Sequence, residues 1–276
     1  MAEITAADVA KLRKATGAGM MDCKNALVES NGDFEKAIEL IRERGKAIAN
    51  KRADREAGEG AALAKVNAAG NHGAIVVLNC ETDFVAKNND FVALTQSILD
   101  VAIEKKPADL EALKALEING RKIVDLVMDK SGVTGEKFQL SFYDKIDAAK
   151  VVAYIHPGNK LATLVGLNKA DVDTQVGKDV AMQVAAMSPV AVDKDNVPEE
   201  LRKKEFEIGR EQARLEGKPE NMLDKIAEGK LQKFYKESTL LNQEFVKNSK
   251  MTIRQYLQSI NKELTVTGFK RVSLNA

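Results

Sequence analysis

The chain has 276 residues, with 42 Lys and Arg against 41 Asp and Glu, so its net charge is close to zero. That balance argues against a dedicated nucleic-acid binder, which carries a basic excess. Charged residues make up 30% and hydrophobic residues 44%, an ordinary globular mixture, and the lack of Trp disfavours an aromatic cage or stacking platform.

Cys23 and Cys80 are far apart and form no CxxC pair. Neither a zinc framework nor a disulfide scaffold is expected, and a reducing cytoplasm is the default location. No apolar segment follows a basic start, so no signal peptide is expected. No run approaches the ~20 apolar residues of a membrane span.

The start of the chain reads as helical, with Ile4, Val9, Leu12 and Ala15 along one stripe. Thr16-Gly-Ala-Gly19 breaks it. Asp22 is placed to cap a second helix over 23–29, and Asn31-Gly-Asp33 ends that helix and caps a third, whose face carries Phe34, Ala37, Ile38 and Ile41. Three short helices make a small bundle, residues 1–45, of a kind that presents a face to another protein. Met20 and Met21 suit such a face, because Met adapts to irregular surfaces. The alternative is that one of the pair is core. The glycines at 17 and 19 follow a helix and lack a third partner, so they are not a dinucleotide loop.

Residues 46–60 read as a linker. Lys51, Arg52 and Arg55 alternate there with Asp54 and Glu56, the pattern of a solvated helix extension. Beyond it the period changes. Residues 61–67 and 74–80 read as strands around a hairpin turn, followed by a helix over 91–104 and a longer one over 109–130 that Gly120 interrupts. The order then recurs. Residues 137–143 form a strand, 150–155 and 161–167 flank the turn His156-Pro-Gly-Asn159, and a helix follows over 174–187. Two related α+β core subdomains are expected, 61–136 and 137–276. The second includes a helical hairpin at 197–237, because Leu201, Ile208 and Leu215 fall at seven-residue spacing and Gly217-Lys-Pro219 reverses the chain. A last helix near 253–260 and a strand over 265–272 close the fold.

One stretch combines an acid with a large aromatic residue in a strand-to-helix junction: Asp83 and Phe84, between the apolar run 74–78 and the helix that starts near Phe91. Phe84 either folds back on its own core or serves as a knob for a partner, with Asp83 beside it to disturb a cation or phosphate site. No phosphate-binding loop is present: Gly217-Lys218 lacks both the first Gly and the following Ser or Thr. His72 and His156 each sit at a hairpin turn and are not spaced as a metal pair. Asp171 and Asp173 could hold a cation, but acids at a helix start need none.

Three segments together, Thr16-Gly-Ala-Gly-Met-Met-Asp-Cys-Lys24, Gly32-Asp33 with Ala37-Ile38, and above all Cys80-Glu-Thr-Asp-Phe-Val-Ala-Lys87, resemble bacterial translation elongation factor Ts. The resemblance extends over essentially the whole chain. It implies an α+β protein with an N-terminal three-helix (UBA-like) module and an antiparallel helical-hairpin (coiled-coil) arm. It also implies a guanine-nucleotide exchange factor for the GTPase elongation factor Tu, with no cofactor, no metal, no enzymatic reaction, and neither nucleic acid nor membrane as direct partner. A homodimer within the complex is left open. By this resemblance Leu12, Met20 and Met21 form the module face that docks on the GTPase. Thr82, Asp83, Phe84 and Val85 act near its Mg²⁺ site, and His156 belongs to the core subdomain that contacts its third domain. Many family members continue past the final strand into a short helical module that also touches the GTPase. Here the chain stops at Arg271-Val-Ser-Leu-Asn-Ala276, so affinity is expected to lean on the N-terminal module and the core. The rival readings are a small α+β enzyme using His156 or Asp83, and a ribosome- or RNA-binding protein using the linker and arm.

Overall fold

A computed structural model of the chain describes residues 4–274; the expectations for the extreme ends, 1–3 and 275–276, lie outside the described residues. The chain is a mixed α+β protein. Its elements run α1 (Ala6–Thr16), α2 (Met20–Glu29), α3 (Phe34–Lys51), β1 (Glu59–Val66), β2 (His72–Cys80), α4 (Asp83–Ala86), α5 (Asn89–Lys105), α6 (Leu110–Ala115), β3 (Glu117–Ile118), β4 (Arg121–Lys122) and α7 (Ile123–Thr134). They continue with β5 (Gln139–Asp147), β6 (Lys150–Ile155), β7 (Leu161–Leu167), α8 (Thr174–Met187), α9 (Glu199–Leu215), α10 (Leu223–Ser238), β8 (Glu244–Phe245), β9 (Asn248–Thr252), α11 (Ile253–Ile260) and β10 (Val266–Ser273).

The core is two three-stranded antiparallel sheets packed face to face, β1-β2-β5 and β10-β7-β6. Alternation along the strands sorts the side chains. Ala62, Ala64, Ile75 and Val77 point into the interlayer with Val151, Ala162 and Leu164. Ala61, Leu63, Val76 and Leu78 point the other way, onto Phe91, Ile98 and Leu99 of α5 and Ile123 and Val127 of α7. On the outer face of the second sheet, Val165 and Leu167 meet Val176, Val180 and Val184 of α8 and Ile253 and Leu257 of α11. Both faces of β2 are therefore covered, which is why it reads as an unbroken apolar run.

Several boundaries differ from the sequence reading. α2 begins at Met20 on Gly19, with no side-chain cap, and Asp22 lies in its first turn. α3 runs to Lys51, well into the segment read as a linker, while Asp33 caps it as expected by accepting from the Lys36 amide at 3.1 Å. The long helix expected over 109–130 is two helices parted by the β3–β4 hairpin, because Asn119 (φ 51°) and Gly120 (φ 74°) both take the left-handed conformation and turn the chain back. The boundary drawn at 136/137 does not part the two sheets, since β5 pairs with β2 and completes the first one.

The hairpin of α9 and α10 is present with a different seam. The two helices run back along each other, with Gly209 of α9 against Ala227 and Lys230 of α10, and Arg210 reaches Asp224 and Lys230 reaches Glu216 along the hairpin. The residues buried between them are Gly209 and Ala213 against Leu223, Ala227 and Leu231. Ile208 and Leu215, two of the three heptad positions, face solvent, Leu215 being 80% exposed. Small residues on α9 let the helices approach closely, so its side of the seam follows Gly209 and Ala213 and receives the leucines of α10, while Ile208 and Leu215 are left outside.

Candidate functional site

Cys80 is the last residue of β2 and pairs across the sheet with Glu59. The next eight residues leave the sheet, make one helical turn and pass into α5. Thr82 is extended and caps α4, its hydroxyl accepting from the Val85 amide at 3.4 Å. Ala86 is buried and Val85 packs against the first core, so the turn is anchored from below. Phe84 points outward and is 84% exposed. It does not fold back: the aromatic that enters the core here is Phe91, edge-on to Phe138 at 5.0 Å between ring centres.

Asp83 takes a hydrogen bond from Lys87 Nζ at 2.7 Å, one turn along. That bond, with the nearby charge of Lys160 adding to it, holds the Asp83 carboxyl below the usual carboxylate range. Asp83 is thus a fixed anion beside an exposed aromatic ring. Lys160 belongs to the loop between β6 and β7, which carries His156. This loop is fastened to the start of β1: Ala62 donates to the Asn159 carbonyl at 2.7 Å, and Lys160 meets Glu59 at 2.9 Å. The Asp83–Phe84 turn and the His156 loop therefore share one end of the sheet pair. His156 is exposed, and its Nδ1 lies 2.9 Å from the Tyr154 hydroxyl. His72 differs from it: buried at the start of β2, it meets Asp147 at 2.8 Å and offers no surface.

Met20 and Met21 lie on α2, 57% and 64% exposed, and Val28, also exposed, extends their patch along the helix. Leu12 does not belong to that face. It is wholly buried among Val9, Cys23, Ala26, Leu27 and Ala37 and forms the module's own core. A three-helix bundle this small has one interior, and α1 reaches it through Val9 and Leu12.

The sequence reading missed the residues that brace the turn. Glu136 accepts from both the amide and the hydroxyl of Thr82, at 3.1 and 2.6 Å. Glu81 accepts from Arg52 at 3.0 and 3.2 Å, from Arg55 at 3.2 Å, and from the Lys137 amide at 2.7 Å. Burial alone would raise the Glu81 carboxyl, but the Lys137 amide and the guanidiniums outweigh it and hold it below the usual range. Arg52 is accordingly a half-buried partner of this carboxylate, while Arg55 reaches it from the solvated surface expected for this segment. Glu136 lies 54 residues from Thr82, and no local pattern marks the pair.

Among the described residues no group of three His, Cys, Asp or Glu is placed to hold a metal ion, and no helix is long and apolar enough to cross a membrane. Both cysteines are free and buried.

Fold and site together describe an α+β protein that carries an exposed aromatic ring beside an ion-paired acid on a braced turn. The family model described as elongation factor TS matches residues 81–276. Elongation factor Ts of Porphyromonas gingivalis is 57% identical over 274 residues, 99% of both chains. The protein of that name from Amoebophilus asiaticus is 53% identical over 275 residues, again 99% of both, and that from Cytophaga hutchinsonii 50% over the whole of both chains. The chain belongs to the elongation factor Ts family, among the factors of translation elongation.

Proposed function

We propose that this chain is a guanine-nucleotide exchange factor for the translation GTPase elongation factor Tu, and that it acts by inserting Asp83 and Phe84 beside the GTPase's Mg²⁺ and nucleotide site. The observation that carries the reading is the 84% exposure of Phe84 on a turn held from beneath by Val85 and Ala86. A large aromatic side chain left in water on a rigid mount has the form of an interface hot spot.

A bound nucleotide is held largely through its phosphates and Mg²⁺. A ring wedged between the elements that position the ion shifts them, and a carboxylate brought close competes for the cation. Asp83 is suited to this because it is ionised and already oriented by Lys87. No covalent step is needed. Linkage makes the effect reciprocal: the factor weakens nucleotide binding by the factor by which nucleotide weakens its own. GDP leaves, GTP enters, and GTP expels the factor.

The remaining surfaces act as clamps. Met20 and Met21 dock the N-terminal module, which is UBA-like, on the GTPase domain. His156 and its loop contact the third domain. The α9–α10 hairpin is a coiled-coil arm. The units are the N-terminal module that ends with α3, the short connection from α3 to β1, and the core built on the two packed sheets. The chain works in the cytoplasm without nucleic acid or membrane as direct partner, and a second copy of the exchange complex is compatible with it.

The experiment is a pull-down from bacterial cytosol with the tagged chain. A stoichiometric GTPase, released from the matrix by GDP or GTP and not by ATP, is the expected result. Retention of that GTPase in excess GDP would overturn the reading.

A further inference from the structure

We propose that Glu136 is a positioning residue for Phe84, and that with Glu81 it forms a two-carboxylate clamp setting the knob in fixed register with the N-terminal module. The inference rests on the insertion role given to Phe84 above.

Thr82 is where the chain is last held before the knob. Glu136 takes its amide proton on one carboxylate oxygen at 3.1 Å and its hydroxyl proton on the other at 2.6 Å. With its proton committed to Glu136, the hydroxyl presents a lone pair to the Val85 amide, which caps α4. The bond to Glu136 thus selects the rotation of the hydroxyl, and the hydroxyl starts the turn that carries Phe84. A helix of four residues cannot hold itself in water, so its geometry must come from outside.

One residue earlier Glu81 is held by Arg52, Arg55 and the Lys137 amide. Lys137 Nζ closes the ring by donating to the carbonyls of Ala53 and Arg55, at 2.7 and 2.9 Å. Arg52 directly follows α3, and Glu136 and Lys137 follow α7. The turn therefore takes its position from the ends of these two helices. α3 is also the third helix of the N-terminal module, and it crosses α7 where Gly45 meets Gly132. The same pair of helices carries the module with its Met20–Met21 face at one end and the knob at the other. The clamp keeps the two contacts in one register, so the free protein already holds the arrangement it needs when bound, and ordering cost on association is low.

The test uses the full chain with Glu136→Ala, Glu136→Gln, Phe84→Ala and the Glu136→Ala/Phe84→Ala double variant, each first verified to melt cooperatively. Release of a fluorescent GDP from the purified GTPase is followed against factor concentration. Amide hydrogen exchange of the free factor is read at Val85 and Ala86. Loss of hydrogen bonds to a carboxylate predicts that Glu136→Ala slows the maximal release rate about tenfold or more. The half-saturating concentration changes less, because the module and the His156 loop still bind. The Val85 and Ala86 amides exchange faster, Glu136→Gln regains part of the rate through its remaining acceptor, and the double variant is no slower than Phe84→Ala. A full rate in Glu136→Ala with a slow Phe84→Ala overturns the positioning role alone. Losses that multiply in the double variant do the same. A full rate in Phe84→Ala overturns the insertion reading, and the positioning role with it.

Discussion

A Cβ on Gly132 of α7 would stand 2.1 Å from the Cα of Gly45 on α3. The two helices cross backbone to backbone, and this crossing is where the N-terminal module meets the core. Gly132→Val therefore forces the helices apart. A cost of about 1–3 kcal/mol is expected from overpacking, with the module partly undocked. Urea denaturation measures the first. Faster proteolysis between the end of α3 and the start of β1 reports the second, and an unchanged cleavage rate would contradict the crossing as the attachment point.

Leu12 and Met21 were grouped by sequence and are parted by structure. Leu12→Ala removes a wholly buried side chain and is expected to cost about 2–5 kcal/mol of stability in the module. Met21→Ala alters an exposed side chain and should stay within about 0.5 kcal/mol of wild type, while weakening affinity for the GTPase. Thermal melts beside calorimetric titration of the two variants separate these effects.

Cys80 is expected to be inert in the folded protein. Burial, with the Glu136 carboxylate nearby, pushes its thiol up to about 12, so almost no thiolate exists near neutral pH. Iodoacetamide followed by peptide mapping should label Cys80 only as urea unfolds the chain. The same shift has a consequence for stability. A thiol whose folded value lies above its unfolded value of ~8.5 stabilises the fold fully below that pH, and the contribution fades as pH rises toward about 12. Native labelling at the rate of an unfolded thiol would refute the assignment.

Asp179 on α8 receives three donors: Lys247 at 2.6 Å, Gln175 at 2.7 Å and the Tyr256 hydroxyl at 2.8 Å. Burial alone would raise its carboxyl, yet these bonds outweigh it and hold it below the usual range. A depressed native value means the contribution is complete above the unfolded value of ~3.9 and is lost as pH falls through the folded one. Asp179→Asn should cost about 1–3 kcal/mol near neutral pH, with the gap closing in acid. Denaturation midpoints of both proteins from neutral pH down to pH 3 measure this, and a gap independent of pH would contradict it.

Much of this architecture was legible before any coordinates. The apolar run of β2, the Asn159 turn and the cap at Asp33 are local signals, and each produced the element expected. The knob itself was legible as an aromatic in a turn, although residue type alone could not decide whether Phe84 faced in or out. What was not legible depended on neighbours distant in sequence. Leu12 continues an apolar stripe whether its face is core or interface. The heptad of Leu201, Ile208 and Leu215 obeys the period of a seam, but the partner helix packs on Gly209 and Ala213, where approach is closest. Glu136 and Arg52 have no motif at all; they matter only because α7 and α3 end beside Thr82 and Glu81.

The central claim is that an exposed ring, not a reaction centre, does the work. The most direct measurement is stopped-flow release of fluorescent GDP from the purified GTPase, with saturating wild-type factor or Phe84→Ala. A buried aromatic anchor contributes about 2–4 kcal/mol, so the variant should release GDP more slowly by roughly 30-fold or more, with its melting temperature unchanged. A variant that matches the wild-type rate would contradict the account.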